Sequence, residues 1–334
     1  DIRDMLLCAC REANRYGITS VQTDDYRTFK GVSWREINAV YREMAEKGEL
    51  TVRVCEQAQF TDTDELLSFI REGCVTGTGD TMFRIGSVKL LGDGSLGSRT
   101  AFLSRPYADE PGTRGFTLFS DAEMRRLVSC AHRNGMQLAI HAIGDACLDQ
   151  VLDAIEKTLT ECPRADHRHG VVHCQITRPE QLTRIRDLGM HVYAQSVFLD
   201  YDSHIVEKRA GRELASSSYH WKTLMDMGVS VSNGSDCPVE LPDVMKGIEC
   251  AVTRTALDGT GPYLPGEAFS VKEAIDSFTL CGAEASFEEK VKGRIAPGFL
   301  ADFVLLSGDP FETEPRSLHE ISVEACCLGG KKVF

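Results

Sequence analysis

The sequence predicts an α/β chain folded as a (β/α)8 barrel short of one unit, followed by a small β element. Three observations predict it. Strand-like and helix-like stretches alternate from residue 4 to residue 233 without a change of pattern, which implies a parallel sheet covered by helices. Residues 19–25, after the first strand, contain no glycine, so the phosphate loop of a doubly wound nucleotide-binding sheet is lacking. After residue 293 the alternation stops and short β-like runs take over.

Taken in order, the strand candidates are Ile18–Gln22, Thr51–Cys55, Ile85–Leu91, Met136–His141, Gly170–Cys174, His191–Gln195 and Val229–Asn233. The helix candidates are Asp4–Tyr16, Ser33–Gly48, Thr63–Gly73, Ser120–Gly135, Asp145–Thr160, Arg178–Gly189 and Trp221–Gly228; several close on a glycine just before the next strand, an ordinary helix-to-strand junction. Asp145 is placed to cap the helix after the fourth strand. Gly92–Phe119 and Ser196–His220 are long, follow strand C-termini, and read as lids on the catalytic rim. The barrel is assigned to residues 1–292. Residues 293–334 hold Gly293–Gly298, a turn-rich stretch, then Ala301–Leu306 and Ser322–Leu328 as two short strands, too few to be stable alone.

A net charge of −13 argues against nucleic acid and anionic membrane as partners. No apolar run approaches the roughly eighteen residues of a membrane span. The start, Asp1-Ile2-Arg3-Asp4, is not a signal peptide and reads as the interior of something longer. Thirteen scattered cysteines with no CxxC pair fit neither a zinc knuckle nor a closed disulfide framework, and point to a reducing, cytoplasmic compartment.

Three strand ends carry metal-capable side chains: His141, His173 and Asp236. In a parallel barrel these ends converge on one rim, where two imidazoles and a carboxylate make a divalent-metal site that activates water. One such histidine alone is as often a core residue satisfied by a hydrogen bond, and Asp236 alone could be a turn carboxylate; the repetition at successive strand ends favours ligands. Lys89 sits among apolar neighbours in a strand and needs a reason. It reaches the rim, forms a Schiff base, or is carbamylated by CO₂ to an anionic ligand; the downstream histidines and aspartate favour the third. His167 and His169 form a second His-x-His pair, but they precede the strand that ends at His173. Roughly 13 Å of extended chain separates the two ends, so His167 and His169 are assigned to structure or solvent. His132, His191 and His319 show no paired context, while His204 and His220 lie on a lid and are candidate substrate contacts.

These residues resemble the YtcJ-like branch of the amidohydrolase superfamily. Lys89 to Thr100 resembles its lysine-strand motif, His141-Ala142-Ile143-Gly144-Asp145 its fifth-strand motif, Arg168 to Gln175 its sixth, and Gly234 to Val239 its eighth. Gly293–Asp302 resembles the return into its small β domain. The resemblance implies a distorted TIM barrel with its first strand absent from this chain, and a remnant of a small β-sandwich domain at the C-terminus. It implies a metal-dependent hydrolase that cleaves an amide-type C–N bond in a non-peptide or N-acylated small molecule through metal-activated water. Lys89, carbamylated, together with His141, His173 and Asp236 would hold one or two divalent ions, Zn²⁺ suiting the mixed N/O donors. Asp236 would also be the general base, and Asp93 and Arg99 would shape the substrate pocket. Two departures stand out: the family's first-strand His-x-His has no counterpart, so the chain is expected to be poorly active by itself, and Val172 replaces an acidic residue. The alternatives are a non-catalytic binding or regulatory barrel and a Schiff-base lyase using Lys89. A homo-oligomer stays open.

Overall fold

The computed structural model describes residues 1–334. The elements run α1 (Ile2–Arg15), β1 (Ser20–Thr23), α2 (Trp34–Glu46), β2 (Arg53–Gln59), α3 (Thr63–Arg71), β3 (Phe83–Leu91), α4 (Asp121–Arg133), β4 (Leu138–Ala142), α5 (Asp145–Glu161), β5 (Gly170–His173), α6 (Pro179–Asp187) and β6 (His191–Ala194). They continue with α7 (Leu199–Asp202), α8 (Val206–Ala215), α9 (Trp221–Asp226), β7 (Val231–Asn233), α10 (Val244–Thr253), α11 (Val271–Phe278), α12 (Leu280–Ala285), β8 (Phe303–Leu306), β9 (Val323–Leu328) and β10 (Lys331–Lys332).

All seven long-range strands pair in chain order, each parallel to the next, from β1 to β7. The result is a curled sheet one strand short of closure: an incomplete TIM barrel. Helix starts follow local chemistry. Ser33 with Glu36, Ser120 with Glu123 and Ser270 with Glu273 form reciprocal capping boxes that start α2, α4 and α11. Asp145 does not cap α5 as expected. Gly144 holds that position, and the Asp145 carboxylate instead accepts from the Ser104 amide at 2.9 Å and pairs with Arg178 at 3.2 Å. It ties the first lid to α6.

Strand residues alternate between the helix-facing core and the lumen. Val88, Leu90, Leu138, Ile140, Val171, Val192 and Val231 join the main core, while Ala139, Val172 and Tyr193 meet inside the barrel with Ala285. The lumen is narrow, and Gly170 makes room in it. A Cβ at residue 170 would lie 2.4 Å from the Tyr193 ring.

The C-terminal sheet has three antiparallel strands, β8, β9 and β10, rather than the two expected. It is tied to the barrel by Arg53, whose guanidinium meets Asp302 at 2.6 and 2.9 Å, and by Glu249 of α10, which accepts from the His319 amide and ring. No helix is long and apolar enough to cross a membrane.

Candidate metal centre

Parallel pairing sets the level of each rim residue. His141 lies opposite Leu91 and Val172, and His173 lies opposite Ala142. Lys89 and His141 point into the lumen by simple alternation, since Val88, Leu90 and Ile140 face the helices. His173 breaks the rule. Its neighbour Val172 is already a lumen residue, so alternation would turn His173 outward. A left-handed backbone, φ +74° at His173 followed by +51° at Cys174, turns it back over the lumen. Its ring sits 4.5 Å from that of His141, edge to face, and stacks on Phe198. Asp236 adopts the same kind of backbone, φ +55°. Such conformations cost energy and gather at functional sites.

Each imidazole has one nitrogen engaged. Nδ1 of His173 lies 2.7 Å from Gln195 Oε1, and Trp221 donates to the His173 carbonyl at 3.0 Å. Nε2 of His141 lies 3.1 Å from the Gly94 carbonyl and 3.1 Å from Asp93 Oδ1. Burial holds His173 well below the usual histidine range, reinforced by the charges of His141 and Lys89. Burial pushes the Asp236 carboxyl up, while Lys89 and His141 pull it down. The four groups therefore feel one another. They do not converge into a finished coordination sphere: no three His, Cys, Asp or Glu side chains stand in ligating geometry. The donor chemistry still fits a divalent ion, because His141 Nδ1 and His173 Nε2 carry no hydrogen bond and face the same rim as a carboxylate.

Sequence reasoning missed Asp24 and Gln195. Asp24 follows β1 and pairs with Lys89 at 3.3 Å, while Asp25 turns away to bond Tyr41 and Thr23. The position of Asp24 after a strand was the available signal; Gln195, a neutral amide, offers none.

The substrate-contact expectations fare differently. Asp93 does not line an open pocket. Its side chain is fully enclosed and accepts from the amides of Phe102 in the first lid and of Ile143 and Gly144 in the turn after β4, at 2.8–3.0 Å. Arg99 is bound to Asp109 at 2.9 and 3.1 Å, and Arg209 of the second lid binds the same carboxylate. His204 stands 3.6 Å from Asp258; His220 meets the Ser216 carbonyl at 3.2 Å and Glu267 at 3.8 Å.

His167 and His169 are structural. His132 Nδ1 meets His169 Nε2 at 2.8 Å, His132 Nε2 meets the Cys162 carbonyl, His169 Nδ1 accepts from Leu138, and His167 is bonded at both nitrogens. No lone pair is left for a metal. The pairing of His132, unforeseen in the sequence, arises because α4 ends beside the start of β5. A cavity of ≈ 330 Å³ also opens at this opposite end, between Arg168, His191 and Glu284. Its Arg168 is already neutralised by Asp166 and Glu289, so the rim at the strand C-termini remains the chemical candidate.

The family model "Amidohydrolase family" matches residues 1–334. The chain is 37% identical over 252 residues to YtcJ of Bacillus subtilis (strain 168), covering 75% of this chain and 47% of that protein. It is 29% identical over 210 residues to an N-substituted formamide deformylase of Arthrobacter pascens, covering 63% and 38%. An uncharacterized metal-dependent hydrolase from Pyrococcus horikoshii OT3 superposes with a TM-score of 0.80 at 28% identity, covering 92% of this chain and 60% of that one. The chain thus spans about half the length, or less, of these curated relatives.

Proposed function

The chain belongs to the amidohydrolase family, and from that premise we propose that its rim is part of the metal centre of a hydrolase that cleaves an amide-type C–N bond in an N-acylated small molecule. The observation that carries this reading is the placement of Lys89, His141, His173 and Asp236 at or beside the C-terminal ends of β3, β4, β5 and β7, with the two imidazoles 4.5 Å apart. The formamide-cleaving relative supports the bond type.

His141, His173 and Asp236 would hold a divalent ion, Zn²⁺ by donor type, with Lys89 as a CO₂-derived carbamate joining them. When bound, such an ion polarises a carbonyl and acidifies water. The chain's own residues supply the rest. Asp236, whose carboxyl burial shifts up, would accept a proton from the attacking water and return it to the leaving nitrogen. Phe198 and the lids exclude bulk water around His173. Asp24 pairs with Lys89 as the ammonium; carbamylation would need that ammonium to lose its proton first, so that the neutral amine can add CO₂ and release a second proton.

The test is zinc content by ICP-MS on protein purified without chelator, with hydrolysis of an N-formyl and N-acetyl amine panel. Bound zinc that disappears in His141→Ala/His173→Ala supports the reading. Absence of both zinc and hydrolysis in a version extended to the relatives' length would sink it.

A further inference from the structure

The two rim imidazoles are held by different nitrogens, and the identity of each holding group fixes where the ring hydrogen lies. Gln195 Nε2 donates to the Tyr193 carbonyl at 3.0 Å. A carbonyl only accepts, so the amide has one orientation, with Oε1 toward His173 Nδ1 at 2.7 Å. That oxygen also only accepts. Nδ1 of His173 therefore carries the hydrogen, and Nε2 keeps its lone pair.

The opposite holds one strand away. Nε2 of His141 faces two groups that only accept, the Gly94 carbonyl and the Asp93 carboxylate, each at 3.1 Å. Nε2 carries the hydrogen and Nδ1 keeps the lone pair. Asp93 is immobilised by three backbone amides, two of them from the turn that follows His141. The orienting group, on the loop after β3, is thus pinned by the β4–α5 turn next to the ring it holds.

We infer that Gln195 and Asp93 are positioning residues that impose opposite tautomers on the two histidines, Nδ1–H on His173 and Nε2–H on His141, and through those rings support the ion proposed above. The part that concerns an ion rests on the proposed hydrolase; the tautomers themselves do not. The two rings pack edge to face, 79° apart. Gln195 acts on the metal only through His173. Replacing an outer partner of this kind lowers metal affinity by about ten- to a hundred-fold.

Two-bond ¹H–¹⁵N correlation of histidine-labelled, metal-free protein reads the tautomers directly, with the two residues assigned through His141→Gln and His173→Gln. Zinc affinity by chelator competition is measured in parallel. The expected result is Nδ1–H for His173 and Nε2–H for His141. Gln195→Leu then mixes the His173 tautomers, leaves His141 unchanged and weakens zinc about ten-fold or more, while Gln195→Glu, which keeps an acceptor, restores the wild-type tautomer. His173 found as Nε2–H in the wild type, or unmoved in Gln195→Leu, overturns the inference. Tautomers as assigned in a protein that takes up no zinc uphold the positioning and count against the metal-centre reading alone.

Discussion

Arg53 and Asp302, 249 positions apart, form a two-point ion pair at 2.6 and 2.9 Å with both side chains almost wholly buried. Asp302 also accepts from the Gly329 amide at 2.8 Å, so one carboxylate joins the start of β2 to both ends of the C-terminal sheet. Asp302→Ala leaves a guanidinium buried without its charge partner, which costs about 3–5 kcal/mol. The urea midpoint should fall accordingly, and Arg53→Met/Asp302→Leu should recover most of the loss. A midpoint unchanged in Asp302→Ala would show that the pair is solvated in solution.

The buried histidines should make the fold less stable as pH falls below about 6.5. Burial pushes His191 down to about 3 and holds His132, His167 and His169 below the ordinary histidine range. Unfolded histidine binds its proton near pH 6.5, so the unfolded state takes up protons first as pH falls. The contribution is fully present above about pH 6.5 and, for His191, is lost progressively down to about pH 3. Between pH 7 and 5, one histidine that stays neutral in the fold should cost about 2 kcal/mol. Urea titrations at those two values should show a smaller difference in His191→Asn than in the wild type.

Gly170→Ala should destabilise by about 1–3 kcal/mol. The new methyl would press on the Tyr193 ring and on the His191 carbonyl, 3.1 Å away. Thermal melting checks it, and Tyr193→Ala in the same chain should lessen the effect of the added methyl.

Asp109→Ala should loosen two lids at once. The carboxylate binds Arg99 and Arg209, and the Arg99 guanidinium holds it below the usual carboxylate range. A hydrogen bond to a charged group contributes about 1.5–3 kcal/mol. Amide exchange should therefore quicken by about ten-fold or more in residues 92–119 and 205–212 together. Faster exchange in only one segment would show that the lids are independent.

The barrel was legible in the sequence because each β/α unit repeats one pattern: apolar strand, rim residue, capped helix, glycine. All seven strands lie within a few residues of their expected bounds. The pattern assigned nothing between residues 239 and 292, where α10, α11 and α12 lie. α10 buries Met245 and then Gly247 through Ala251 in succession, so it lacks the polar face that makes a helical period visible. The candidate rim residues stood out in the sequence because His141, His173 and Asp236 lie at strand ends and carry metal-capable groups. What Asp93 does was not legible, because its partners are backbone amides, two from the turn after β4 and one from a lid, and backbone leaves no mark on a sequence pattern. Gln195 was hidden for a related reason: its importance is the direction in which its amide points, which the Tyr193 carbonyl fixes.

The shared carboxylate of Asp109 has a mechanical consequence. The loops after β3 and β6 are further joined by the Ala108 amide on the Arg209 carbonyl at 2.9 Å and by Arg105 on Glu213 at 2.6 Å. Two segments fastened at three points have few ways to part separately, and each arginine left behind would lose its counter-charge. The two loops, each rooted in its own strand, would then move as one hatch. Traffic to the rim beneath it would be paced by one concerted movement, and a substitution at the latch would change entry and exit together.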